Sequence, residues 1–196
     1  MAKKKEPEVK PLEIIGANIK DDFCNYEYLI LEGVGKNDKV NVKGTGIILD
    51  DMRDAFSAFN VHLACIDDVF KHSGTEIESI NKLRSHELTQ LFHVTGFKVK
   101  GSTENQTVIL IGSKYVSSSG GRIEIETPRI PLDSTSSYAW HKELKKAVDA
   151  ACQEVEEYKA GKYTIVQDDP DQGEHLPKID FSANVNDDAD FNKNKV

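Results

Sequence analysis

Cysteine is scarce in this 196-residue chain, which holds only Cys24, Cys65 and Cys152. Three scattered cysteines can build neither a disulfide framework nor a zinc site, and an odd count fits a reducing compartment. Free cysteines are most often simply buried, and that reading is preferred here. Long apolar runs are also missing: nothing approaches the roughly 18 residues of a membrane span. The start, Met1-Ala2-Lys3-Lys4-Lys5, has charge but no apolar stretch behind it, so no secretory leader is expected. These absences predict a soluble cytoplasmic protein with no membrane partner.

A basic surplus is lacking as well. The net charge is −8, and residues 167–196 carry eight acids against three lysines, a net of −5. The rest of the chain is therefore mildly acidic, which argues against a broad surface for duplex DNA, since such a surface needs clustered Lys and Arg to displace counterions. Catalytic signatures are missing too. There is no G-x-S-x-G elbow, no H-E-x-x-H and no close Ser/His/Asp set. Gly33-Val34-Gly35-Lys36 lacks the spacing of a phosphate loop and precedes an alternating strand, so it reads as a hairpin turn. The sequence predicts no catalytic residue, no metal and no cofactor.

What is present is a unit written twice. Ile14-Ile15-Gly16-Ala17-Asn18-Ile19-Lys20 matches Val94-Thr95-Gly96-Phe97-Lys98-Val99-Lys100. Tyr28-Leu29-Ile30-Leu31-Glu32-Gly33 answers to Val108-Ile109-Leu110-Ile111-Gly112, and an alternating segment follows each, Lys39 to Lys43 and Arg122 to Glu126. A Leu-Asp step into a helical pattern closes each copy, at Asp50 and at Asp133. The offset is 80 at the glycines (96 minus 16) and 83 at the aspartates (133 minus 50). Internal repetition guides architecture more strongly than local propensity.

The expected fold is α+β, an internally duplicated βββα unit with antiparallel sheet and two main helices packed on one side. Strands are expected at 12–20, 26–33 and 38–48, then at 91–100, 106–116 and from Arg122, with Val40 and Val42, and again Ile123 and Ile125, alternating with polar residues. Val108 to Ile111 is apolar on both faces, so its strand should be central. Pro128 and Pro131 should end the pairing. Asp50 is placed to cap a helix with the stripe Met52, Ala55, Phe56, Phe59, Leu63 and Ile66. Asp133 or one of Ser134 to Ser137 should cap a helix over roughly residues 137–159, stopped at Gly161. Residues 1–10 read as a disordered basic arm and 167–196 as a disordered acidic tail, because neither can bury enough to offset its ordering entropy. The body, 11–166, divides into repeat one (about 12–66), a joint (67–90) and repeat two (about 91–162).

Two constellations could carry function. His62, Cys65, Asp67, Asp68 and His72 crowd eleven residues, but the apolar stripe claims the same helix, so an amphipathic helix end outweighs a metal site. The strand faces carry Lys20, Lys39, Lys43, Lys98, Lys100, Lys114 and Arg122, with Tyr26, Tyr28, Phe97 and Tyr115 on or beside the same strands. A charged track interleaved with stacking platforms is what single-stranded nucleic acid needs. Lysines that merely solubilise strands, with the aromatics in the core, are the competing reading.

The segments His93-Val94-Thr95-Gly96-Phe97-Lys98-Val99-Lys100-Gly101, Val108 to Gly112 and Glu154-Val155-Glu156-Glu157-Tyr158-Lys159-Ala160-Gly161-Lys162 resemble a group of small proteins from tailed phages and prophages. The group has no established activity, so the resemblance assigns no residue a role. It implies the host cytoplasm and a place in nucleic-acid metabolism. By analogy of fold alone, the βββα unit resembles the core of single-strand annealing proteins. A sliding-clamp analogy fails on charge, because the helix after Asp50 carries Asp51, Asp54, Asp67 and Asp68 against Arg53 and Lys71.

The expected function is a phage-encoded, non-enzymatic accessory protein of DNA metabolism. Its partner is single-stranded nucleic acid or a replication or recombination protein. The alternatives are a counter-defence small-molecule sponge or inhibitor, working as a homo-oligomer with its ligand at the seam, and a virion structural protein.

Overall fold

Alternation every second residue fixes the strands of this chain, and their pairing makes one antiparallel sheet. The computed structural model describes residues 12–31, 37–77, 79–101 and 105–165. The expected basic arm, the Gly33–Lys36 turn and the acidic tail lie outside the described residues. The strands are β1 (Leu12–Lys20), β2 (Phe23–Leu31), β3 (Asn37–Val42), β4 (Phe92–Lys100), β5 (Thr107–Val116), β6 (Gly121–Glu126) and the short β7 (Ile130–Pro131). Their order is β3-β2-β1-β4-β5-β6, with β7 also on β5. Read outward from the β1–β4 pair, each half runs first, second, third strand. β1 and β4 each carry a bulge at the glycine that the sequence aligns, between Ile14 and Gly16 and between Val94 and Gly96. β5, expected to be central, lies one strand from the edge, between β4 on one side and β6 and β7 on the other.

The helices are α1 (Asp50–Ser57), α2 (Asn60–Ile66), α3 (Val69–Ser73), α4 (Ile80–Leu83) and α5 (His141–Lys159), with a single 3-10 turn at Thr89–Leu91. The fold is α+β, with the main helices on one face of the sheet. α1 and α2 lie on β4, while α5 lies on β1 and β2 and against α1. Between sheet and helices sits the core. Phe56, Phe59 and Phe97 meet there with ring centroids 5.6 to 6.1 Å apart. Leu110, Leu144, Val148 and Val155 close over them.

Several local expectations are corrected. β2 begins at Phe23, because Asp21 and Asp22 make a two-residue turn with positive φ at both positions (51° and 67°). β3 ends at Val42, where Gly44 passes so close to the Cys24 carbonyl that no Cβ fits. The expected single helix is split at Ala58 and Phe59, and the Asn60 side chain leaves the helix surface to accept the Val94 N–H at 2.8 Å. Asp50 is not the cap: Leu49 holds that position, no side chain caps the helix, and Asp50 and Asp51 instead favour its first turn as charges near the dipole's positive end. Asp133 does not cap α5, which starts at His141; its carboxylate accepts the Thr135 N–H and hydroxyl and closes a local turn. Pairing resumes past Pro128, since Ile130 and Pro131 sit opposite Val108 and Thr107. Gly161, with φ 108°, follows the last turn of α5 as expected.

Candidate nucleic-acid interface

One face of the sheet is covered by helices, and alternation assigns each strand residue to that face or to the opposite one. On the covered side, register aligns Tyr28 with Ile14, Tyr26 with Ala17, Phe97 with Ala17 and Leu110, and Lys114 with Phe92. On the helix-free side it aligns Lys98 with Gly16 and Ile109, Lys100 with Thr107, Lys39 with Leu29, and Arg122 with Tyr115.

Four of the eleven interface candidates are therefore corrected. Phe97 (1% exposed) and Tyr26 (8%) are core residues and cannot stack on a base. Tyr28 faces the helices, with the Lys159 ammonium 5.2 Å from its ring centre. Lys114 is half-buried, bonded to Asp67 and placed over the Phe92 ring. The physical reason is one of parity: a strand alternates its faces, so lysines and aromatics adjacent in sequence point to opposite sides.

Seven candidates remain outside the covered face. Lys20 closes β1, and Lys43 lies just past β3; both line a depression with Phe23 and Asn25. Lys39 pairs with Glu27 at 2.7 Å, and Lys98 stands 3.9 Å from Glu126. Arg122 donates to the Ser113 hydroxyl at 3.1 Å. Lys20, Lys43 and Lys100 have no carboxylate within ion-pair distance among the described residues. Tyr115, 39% exposed, is the one aromatic of the original set left on this side.

The sequence reading passed over the middle of this face. Beside Gly16, where β1 meets its neighbours, lies a dip of about 170 Å³. Asn18, Asn25, Glu27, Asn41, Lys98 and Ile111 surround it. The aligned glycines were the available signal, since a glycine inside a strand marks a bulge or a close approach.

The His62–His72 cluster does not converge. His62 is fully buried, its Nδ1 is 2.9 Å from the Tyr138 hydroxyl, and burial pushes its pKa down to about 3. Burial also pushes the Cys65 thiol up to about 11, against a smaller opposing hydrogen bond from Tyr138. A neutral thiol beside a neutral imidazole is not an activated nucleophile. Asp67 is engaged with Lys114, and the His72 ring bonds the Asp68 carbonyl of its own turn. Among the described residues no group of acidic, His or Cys side chains could hold a metal, and no helix is long and apolar enough to cross a membrane. No protein family, no curated protein and no solved structure matches this chain, so the chemistry of the face is argued from its own residues.

Proposed function

We propose that the chain is a non-enzymatic accessory protein of phage DNA metabolism that holds single-stranded nucleic acid against its helix-free sheet face. The supporting observation is that Lys20, Lys39, Lys43, Lys98, Lys100 and Arg122 all lie off the helix-covered face of a broad antiparallel sheet. Two of the lysines already face carboxylates, Glu27 and Glu126. The phosphate track therefore leans on Lys20, Lys43 and Lys100, and binding should be weak and steeply salt-dependent. Each lost phosphate contact removes about 0.7 from the slope of log affinity against log salt for single strands.

Fluorescence anisotropy with a labelled single-stranded oligonucleotide tests this. Lys20→Glu with Lys43→Glu should weaken binding at low salt and flatten the salt slope by about 1.4, two contacts' worth. Absence of any binding at low salt would end the reading.

A further inference from the structure

The dip beside Gly16 lies next to the β1–β4 seam. Gly16 and Gly96 both follow bulges, and both sit on the helix-free side of the seam. A larger residue would press on its neighbours at either position: a Cβ on Gly96 would stand 2.9 Å from the Asn18 amide nitrogen and 3.0 Å from the Ala17 carbonyl, and one on Gly16 would stand 3.0 Å from the Phe97 carbonyl. Gly16 adds no side chain to the dip, whose walls come from the residues around it.

Three of those walls are primary amides. Asn25 has its Oδ1 buried with no hydrogen-bond partner among the described residues. Asn18 and Asn41 complete the set, and Tyr26, Val42, Phe97 and Ile111 supply apolar lining.

We propose that this dip receives one nucleobase, splayed out of a single strand and read along its polar edge by the three amides. An amide offers an acceptor beside a donor, the pattern that base edges match. The size agrees: about 170 Å³ is several times the roughly 30 Å³ a water occupies in the liquid, and below the roughly 300 Å³ where drug-sized pockets begin. One flat ring fits, and its sugar and phosphate stay outside. Lys98 stands at the rim, loosely held 3.9 Å from Glu126, and can turn to that phosphate. The proposal rests on the strand-binding reading above and adds base preference to it.

The experiment measures the intact chain against ten-residue homopolymers of dT, dC, dA and dG at one low salt concentration. Wild type should favour one homopolymer over the weakest by about tenfold, as a single bidentate contact discriminates. Asn41→Ala with Asn18→Ala should shrink that spread to about twofold or less and leave the salt slope unchanged, with circular dichroism checking the fold. Lys20→Glu with Lys43→Glu should do the reverse, flattening the slope and keeping the ranking. Salt-dependent binding with no preference among the four would overturn the base pocket and leave strand binding standing. If no homopolymer binds, titrating free thymidine, cytidine, adenosine and guanosine into labelled protein decides by NMR. Shifts centred on Asn18, Asn25 and Asn41 would support a base pocket without strand binding, and no shift would overturn it.

Discussion

His62 is a neutral ring sealed into the core, and that fixes how it responds to acid. Its folded pKa is pushed down to about 3, whereas an unfolded chain protonates histidine near 6.5. The unfolded state therefore binds a proton that the folded state refuses. The stability this provides is complete above about pH 6.5 and is lost as pH falls toward the folded value. Between pH 6 and 5, ahead of most carboxylate titration, wild type should lose about 1 kcal/mol more than His62→Gln. Urea unfolding curves at the two pH values measure it, and parallel losses in the two proteins would refute it. Nothing in the sequence near His62 reveals this role. Its partner Tyr138 lies far along the chain, and the neighbouring Asp67 finds Lys114 on β5. The crowding of His, Cys and Asp was legible, but the direction in which each side chain leaves the helix was decided by partners that only folding brings close.

At the scale of elements, glycines decide where strands and helices can approach. Gly112 faces the helices from β5, and a Cβ there would lie 2.5 Å from the His93 carbonyl and 2.9 Å from the Val94 Cα. Backbone cannot step aside cheaply, so Gly112→Ala should cost about 1–3 kcal/mol. Gly121 opens β6 and would meet only the Ser119 hydroxyl, at 3.9 Å. Gly121→Ala should change stability by less than about 0.5 kcal/mol. Chemical denaturation of both variants checks the contrast, and equal effects would refute it. The strands themselves were readable because alternation is a local signal. The caps were not. Asp133 spends its oxygens on Thr135, and the end of α5 is fixed instead by Tyr158, whose hydroxyl donates to the Gly46 carbonyl at 2.6 Å and accepts the Gly46 N–H at 3.2 Å. The interface candidates divided for a related reason. The cationic character of the strands was visible, but Tyr26, Tyr28, Phe97 and Lys114 fall on the covered side because of register and bulges, which single-sequence patterns leave open.

For the whole molecule, the decisive feature is that the two sequence halves cover each other. α1 and α2 follow β3 yet lie on β4, and α5 follows the second set of strands yet lies on β1 and β2. Ile47, between β3 and α1, bridges both Phe23 and Thr164. Lys162 gathers Glu154 and Glu157 from α5 and Asp51 from α1, each within 2.9 Å. The seam between halves is itself short, only Gly16 to Asn18 against Gly96 to Lys98, so cohesion depends on the exchanged helices more than on strand pairing. Neither half can then keep its core when the other opens. Unfolding should be a single transition, with Trp140 fluorescence, which reports on the approach to α5, coinciding with far-ultraviolet circular dichroism, which reports on all elements. A fragment of residues 1–90 should lack a cooperative transition, because its strands lose α5. Two separated transitions in the full chain, or a cooperatively folded 1–90 fragment, would mean that each half owns its core and that the exchange of helices is incidental. A single transition would instead make the sheet face between the halves a rigid floor, which is what a pocket lined by Gly16, Asn18 and Lys98 requires to hold its shape.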